Sequence, residues 1–337
     1  MWWMVSVALG CAGLVHEEGQ AAESSGAAVL LVDDGDAVEV HYEVVYAGDA
    51  ETFGWLIPVP GEVLSVSDGD PNTFVQLSQS TAPSVTRVLS TESGKRGCGP
   101  AAKGDAAGAN ESVEPGGDLQ VVAEGFTGTF AYTVLDAADP SALDGWFADQ
   151  GWSPGVLSDD LAYYTDRGDA FVALTLSNEE GAEAPQQLPP LVLRYRSDML
   201  SFPSVMARHA AEDQRVTLYV QGAGRAEVAS GWVMEDGDDI DGPGDADAAE
   251  VLDDHLYRLG TQGAWMRTWS GPLDGAFVTR FDLYAPPEQH VEDAVFGFDG
   301  TDHRTSTVIW LEGGGAASAG WLALTLLGGL GWRRLRA

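Results

Sequence analysis

Hydrophobic positions along this chain recur mostly with a period of two, the spacing that places alternate side chains on one face of a strand. Residues 29–32, the polar turn Asp33-Asp34-Gly35-Asp36 and residues 37–46 read as a hairpin, with Val38, Val40, Tyr42 and Val44 on one face. Residues 53–60 (FGWLIPVP) are apolar but interrupted by prolines, which predicts an edge or crossing segment and not a central strand. A short helix and a strand are expected within 74–89, and a strand over 126–135. Ala138-Asp139-Pro140-Ser141 supplies helix-start chemistry for a helix at 143–150 that turns Trp146 and Phe147 inward and stops at Gly151. Residues 161–164 read as helix or strand, and 171–176, 191–195, 215–221 and 226–233 as strands.

Two stretches lack this periodicity. Residues 90–118 are rich in Gly, Ala, Ser and Pro, which predicts an exposed, mobile insertion. Residues 235–254 carry ten carboxylates and read as a solvated acidic loop. The fold class expected for residues 21–312 is therefore α+β and β-dominated, with antiparallel sheets and a few short helices.

The ends have a different character. From Gly313 to Trp332 there are 20 residues without a charge, which as a helix would run about 30 Å, the thickness of a bilayer core. Trp321 and Trp332 stand near its ends, and Arg333, Arg334 and Arg336 follow. Indole favours the membrane interface and arginine the cytoplasmic side, so residues 313–337 predict a single C-terminal transmembrane helix with the C-terminus cytoplasmic. Residues 1–20 begin with an apolar run of signal-peptide length that lacks a basic start. Together they place residues 21–312 outside the cytoplasm, in a bacterial cell envelope.

Charge and cysteine content narrow the partners. Of 337 residues 52 are acidic and 17 basic, for a net charge of -35, which disfavours nucleic acid and anionic lipid surfaces. Cys11 and Cys98 allow one disulfide in an oxidising compartment. Ala8-Leu9-Gly10-Cys11 also resembles a lipobox, in which Cys11 would be acylated and Cys98 left as a lone thiol.

Longer segments carry a family resemblance. Residues 46–60 (YAGDAETFGWLIPVP), the 142–152 helix followed by Gly168-Asp169-Ala170-Phe171-Val172-Ala173-Leu174, residues 188–203, and residues 277–287 running on to Glu292-Asp293-Ala294-Val295-Phe296 resemble the bacterial Domain of Unknown Function 2330 family. This resemblance spans roughly residues 25–300 in the right order. It implies an exported protein with a signal sequence and often a membrane-anchoring C-terminus, and brings no activity with it. Cys11-Ala12-Gly13 resembles the cysteine and glycine that relatives carry near the mature N-terminus, whereas Thr175 stands where relatives tend to have lysine. The tail also resembles tripartite sorting signals of Gram-negative bacteria, with Gly313-Gly314-Gly315 as the glycine type. That likeness implies an intramembrane sorting protease as a partner, against the alternative of a permanent anchor.

Candidate chemistry is sparse. Gly151-Trp152-Ser153-Pro154-Gly155 fits the spacing of a nucleophile elbow, but a helix precedes the serine and Pro154 follows it, where an elbow needs strand, turn and helix. Asp239, Asp241, Asp245, Asp247 and Glu250 fall at positions 1, 3, 7, 9 and 12 of a calcium loop with glycine at position 6; Pro243 and Ala246 depart from that frame. The six histidines include no pair at zinc-binding helical spacing. Trp55, Trp146 and Trp310 read as core, and Trp265 and Trp269, flanking Arg267, as a pair that would stack on a ligand or pack inward. The expected function is a non-catalytic binding or structural module without a resident cofactor and with its ligand unnamed. The alternatives are an extracytoplasmic hydrolase with carboxylates from distant loops and a Ca-dependent surface protein.

Overall fold

A computed structural model describes residues 13–16, 22–23, 27–43, 45–48, 52–88, 119–137, 140–152, 158–177, 182–210, 213–244 and 246–312. Within them the chain builds two large sheets stacked face to face, with helices covering both outer faces.

The larger sheet runs in spatial order Val233–Asp236, Ala264–Leu273, Ala276–Ala285, Gln214–Gly222, Ala27–Asp33, Val38–Tyr42, Leu191–Arg196 and Glu62–Asp68, with Thr305–Ser306 added on Ala264–Leu273. It is mixed where the sequence suggested antiparallel order. Gln214–Gly222 pairs in parallel with Ala27–Asp33, and Val233–Asp236 in parallel with Ala264–Arg267. The expected hairpin is present, pairing Val29 with Tyr42 and Asp33 with Val38.

A second sheet orders Gly13–His16, Thr52–Val59, Ala170–Ser177, Ala131–Asp136 and Gln120–Phe126. Thr52–Val59 contradicts its expectation in part, because it is flanked on both sides. Among the described residues Gly13–His16 pairs with 53–56, and on the strand's other side Pro58 pairs with Phe171. The strand expected over 126–135 is a hairpin, broken by a turn in which Thr127 N–H donates to the Phe130 carbonyl.

Period-two burial explains the stacking. Val29, Leu31, Val38, Val40 and Tyr42 of the larger sheet meet Trp55, Ile57, Val134, Val172 and Leu174 of the second in one buried core. The alternate residues Leu56, Leu135, Phe171 and Ala173 face outward, onto helix α2 (Pro140–Asp149) and helix α3 (Ser158–Arg167) through Leu143, Phe147, Leu161 and Tyr164. On the opposite flank helix α1 (Thr73–Thr81) covers Leu30, Tyr219 and Val278 with Phe74 and Leu77. Helix α4 (Ala248–Gly260) covers Ala264 and Met266 through Val251, Leu252, Leu256 and Leu259. Leu30 faces away from its neighbours Val29 and Leu31, which is why that strand reads as a continuous apolar run.

The acidic stretch 235–254 is not a loop. It forms the end of Val233–Asp236, the strand Asp239–Gly242 and the start of α4. Glu235, Asp236, Asp239 and Asp241 sit at exposed strand positions and Asp247 and Glu250 at a helix N-terminus, where negative charge is favoured. Among the described residues no helix is long and apolar enough to cross a membrane. Residues 1–12, 89–118 and 313–337, with Cys11, Cys98, Trp321, Trp332, Arg333, Arg334 and Arg336, lie outside the described residues.

Candidate functional site

Among the described residues a candidate binding site is a shallow, open groove of about 590 Å³ where three turns meet: Gly231-Trp232-Val233, Thr261-Gln262-Gly263 and Gln289 with Val291-Glu292. Val233 and Val291, 58% and 59% exposed, put two apolar side chains at its rim. Trp232 forms the groove's wall, and its position is fixed from behind.

That fixing begins at Gly231, whose φ of +85° and close approach to the Asp293 carbonyl leave no room for a Cβ: an ideal one would lie 2.0 Å from that oxygen. The following indole N–H donates to the Glu292 carbonyl at 2.9 Å and to Ser204 Oγ at 3.2 Å, while the Ser204 hydroxyl donates to the same carbonyl at 2.6 Å. Its ring packs edge-on against Trp265 at 6.2 Å and against His290 at 5.2 Å.

His290 is fully buried. Neither ring nitrogen has an aligned hydrogen bond, and the polar groups acting on it are the backbone of Ala285 and Ser204 and the charge of Glu288. Burial outweighs all of them and pushes its pKa down to about 4. The imidazole therefore sits neutral behind the indole.

Asp293, which follows Glu292 of the groove, ties it to α3. Its Oδ1 accepts from the Tyr164 hydroxyl at 2.9 Å and from Val205 N–H at 3.2 Å. Its Oδ2 lies 2.9 Å from Arg167 Nη1, an ion pair without hydrogen-bond alignment. Arg167 also holds Asp169, with Nε 2.9 Å from Oδ1, and its guanidinium lies 5.3 Å from the Tyr163 ring centre and 5.1 Å from that of Tyr164. Burial pushes the carboxyls of Asp169 and Asp293 up, and Arg167 pulls both partly back. One turn earlier the buried Asp160 meets Arg208, with His209 Nε2 at 3.4 Å. Asp160, Tyr163, Tyr164 and Arg167 follow the i, i+3, i+4, i+7 spacing that makes one helix face. These buried charges are compensated in pairs and none of them lines the groove.

A further buried pair pins the larger sheet. Asp282 accepts from Arg280 Nε and Nη2 at 2.9 Å, from Thr268 Oγ1 at 2.6 Å and from Thr217 Oγ1 at 2.8 Å. Burial pushes this carboxyl up, but Arg280 and the two hydroxyls outweigh it and leave its pKa below the usual range.

The residues singled out from sequence are elsewhere. Asp239 and Asp241 are exposed on a strand that pairs in parallel with Val308–Leu311, and Asp239 Oδ1 accepts from Trp310 Nε1 at 3.0 Å. Asp247 caps α4 by accepting from Ala249 N–H at 2.8 Å, and Glu250 lies in that helix's first turn. Asp245 lies outside the described residues. The spacing that resembles one tight calcium loop thus spans a strand, a turn and a helix cap, and among the described residues no three His, Cys, Asp or Glu side chains converge as a metal site. Trp265 and Trp269 belong to a strand, not a helix, and a bulge between Arg267 and Trp269 sends them to opposite faces. Trp265 lies in the main core and Trp269 packs toward α1, so they are no stacking pair. In the elbow-like segment Gly151 ends α2 at a φ of +76°, and Ser153 lies outside the described residues.

A family model described as an uncharacterized protein conserved in bacteria (DUF2330) matches residues 5–297. The chain belongs to this family. The matched span contains every residue of the groove and of the α3 network behind it. No curated protein matches the sequence. Among solved structures, the crystal structure of baculovirus P35 aligns over 86% of this chain and 98% of that one, at 10% identity and a TM-score of 0.30, a similarity too low to carry an argument.

Neither Trp232 nor His290 stood out in the DUF2330 sequence, since a tryptophan between strands and an isolated histidine carry no spacing signal. The α3 face was legible in principle, because two tyrosines flanked by an acid and an arginine at helical spacing mark a polar helix surface.

Proposed function

We propose that this DUF2330 protein is an extracytoplasmic, non-catalytic binding module that receives its partner at the Trp232 groove. The observation that carries this is the groove itself: two exposed valines beside an indole held from behind, on a chain of net charge -35. Of its lining residues only Glu292 is ionisable, whereas acid–base chemistry would call for a second group within reach. The charge-free segment from Gly313 and the terminal arginines support attachment to the envelope, either permanent or removed by sorting. Intact mass of the envelope protein distinguishes these, since only a permanent anchor retains Ala337.

The binding reading is tested on the full chain in detergent micelles by thermal shift against panels of peptides, sugars and small ligands. A ligand that stabilises the wild type and fails to stabilise Val291→Asp supports the groove as the site. Ligands whose stabilisation survives that change, or turnover of any panel member, overturn the proposal.

A further inference from the structure

We propose that the ligand is an extended, basic polypeptide segment that adds as a strand to the open edge formed by Val233–Asp236. This rests on the groove being the binding site.

Among the described residues Val233–Asp236 is the outermost strand of the larger sheet and pairs on one side only, with Ala264–Arg267. Val233 N–H donates to the Gly263 carbonyl and Gly237 N–H to that of Arg267, so the odd-numbered residues turn their backbone groups inward. Strand alternation then turns the N–H and C=O groups of Met234 and Asp236 to the open side. An unpaired edge of this kind accepts an added strand, and the Trp232 groove lies at its start.

Charge selects the occupant. Val233 and Glu235 share the solvent face, and both are exposed. A second copy of this chain would set acidic residues against acidic residues on a molecule of net charge -35, which cross-strand repulsion and the overall field both oppose. A basic segment relieves the same charges. Glu235 stands two positions after Val233, so an added strand places an apolar side chain opposite Val233, against Trp232 and Val291, and a lysine or arginine two positions along opposite Glu235. The expected pattern is apolar-x-basic, read by main-chain hydrogen bonds along its length.

The test uses the full chain in detergent micelles and a fluorescent octapeptide repeating Val-Thr-Lys-Thr, with binding followed by anisotropy. The wild type is expected to bind it and to ignore the Val-Thr-Glu-Thr counterpart. Glu235→Lys should weaken binding at least tenfold, whereas Asp198→Lys, the same charge change at a distant exposed site, should weaken it less than twofold. N-methylation of alternate peptide amides, which keeps every charge, should abolish binding. Equal loss with the two lysine variants, or undiminished binding of the methylated peptides in both methylation registers, would reduce the interaction to general attraction and overturn the inference. If the lysine peptide fails to bind while another ligand is lost in Val291→Asp, the basic-strand inference falls and the groove reading stands.

Discussion

His290 stays uncharged because its surroundings offer a proton no solvation: the indole of Trp232 lies against it, and its ring nitrogens have no aligned partner. With a folded pKa of about 4 against an ordinary 6.5, the unfolded chain takes up a proton in that interval that the folded chain refuses. Stability from this residue is therefore complete above pH 6.5 and is lost as pH falls toward 4, by about 3 kcal/mol in all. Asp160, Asp169 and Asp293 act in the opposite sense, since their raised folded pKa values make the folded chain the better proton acceptor as pH falls. Urea unfolding at pH 7 and pH 4.5 of wild type and His290→Phe separates the two effects. The wild type should lose roughly 2–3 kcal/mol more than the variant over that span; equal losses would mean that His290 is not held neutral.

Helix α4 shows how an element depends on one close approach. Asp247 caps it, Arg258 lies in its last turn, and Val251, Leu252, Leu256 and Leu259 form its buried stripe. At its end Gly260 meets the Tyr284 carbonyl of the neighbouring strand, and an ideal Cβ would lie 1.2 Å from that oxygen. Backbone in a central strand cannot retreat, so Gly260→Ala should cost about 3 kcal/mol, by overpacking rather than by helix propensity, which favours alanine. Chemical denaturation measures it; a stabilised variant would show that α4 moves freely on the sheet. This helix was legible and was passed over, because the ten carboxylates of 235–254 masked the stripe that begins at Val251. Of the hairpin expected over 29–46 the pairing 29–42 is present, and α2 lies where 143–150 predicted it, since both carry their own periodicity and turn or stop signals, whereas 74–89 indicated only that a short helix and a strand lie within it. The mixed sheet order was not readable: Ala27–Asp33 and Gln214–Gly222 pair across more than half the chain, and no local pattern records that. The groove was hidden for the same reason, its three turns being joined only by the fold.

At the scale of the whole molecule, 52 acidic and 17 basic residues must share one surface. Several arginines are buried and already committed, Arg267 to Asp236 and Arg280 to Asp282 among them, which leaves still fewer cations to offset the exposed acids. Exposed pairs such as Arg196 with Glu62 contribute little and are screened by salt. Self-repulsion among the remaining carboxylates is long-ranged, and salt shortens it from about 10 Å at 0.1 M to about 3 Å at 1 M. Adding NaCl over that range should therefore raise Tm by several degrees, because the repulsion it screens exceeds the surface attraction it weakens. A fall in Tm would reverse that ranking. Calcium and magnesium chloride at matched ionic strength extend the comparison to Asp239, Asp241, Asp247 and Glu250. Since strand and helix cap hold these carboxylates apart, the two salts should raise Tm equally. An excess for calcium that disappears in Asp245→Asn would show that the turn between them draws the carboxylates together around the ion.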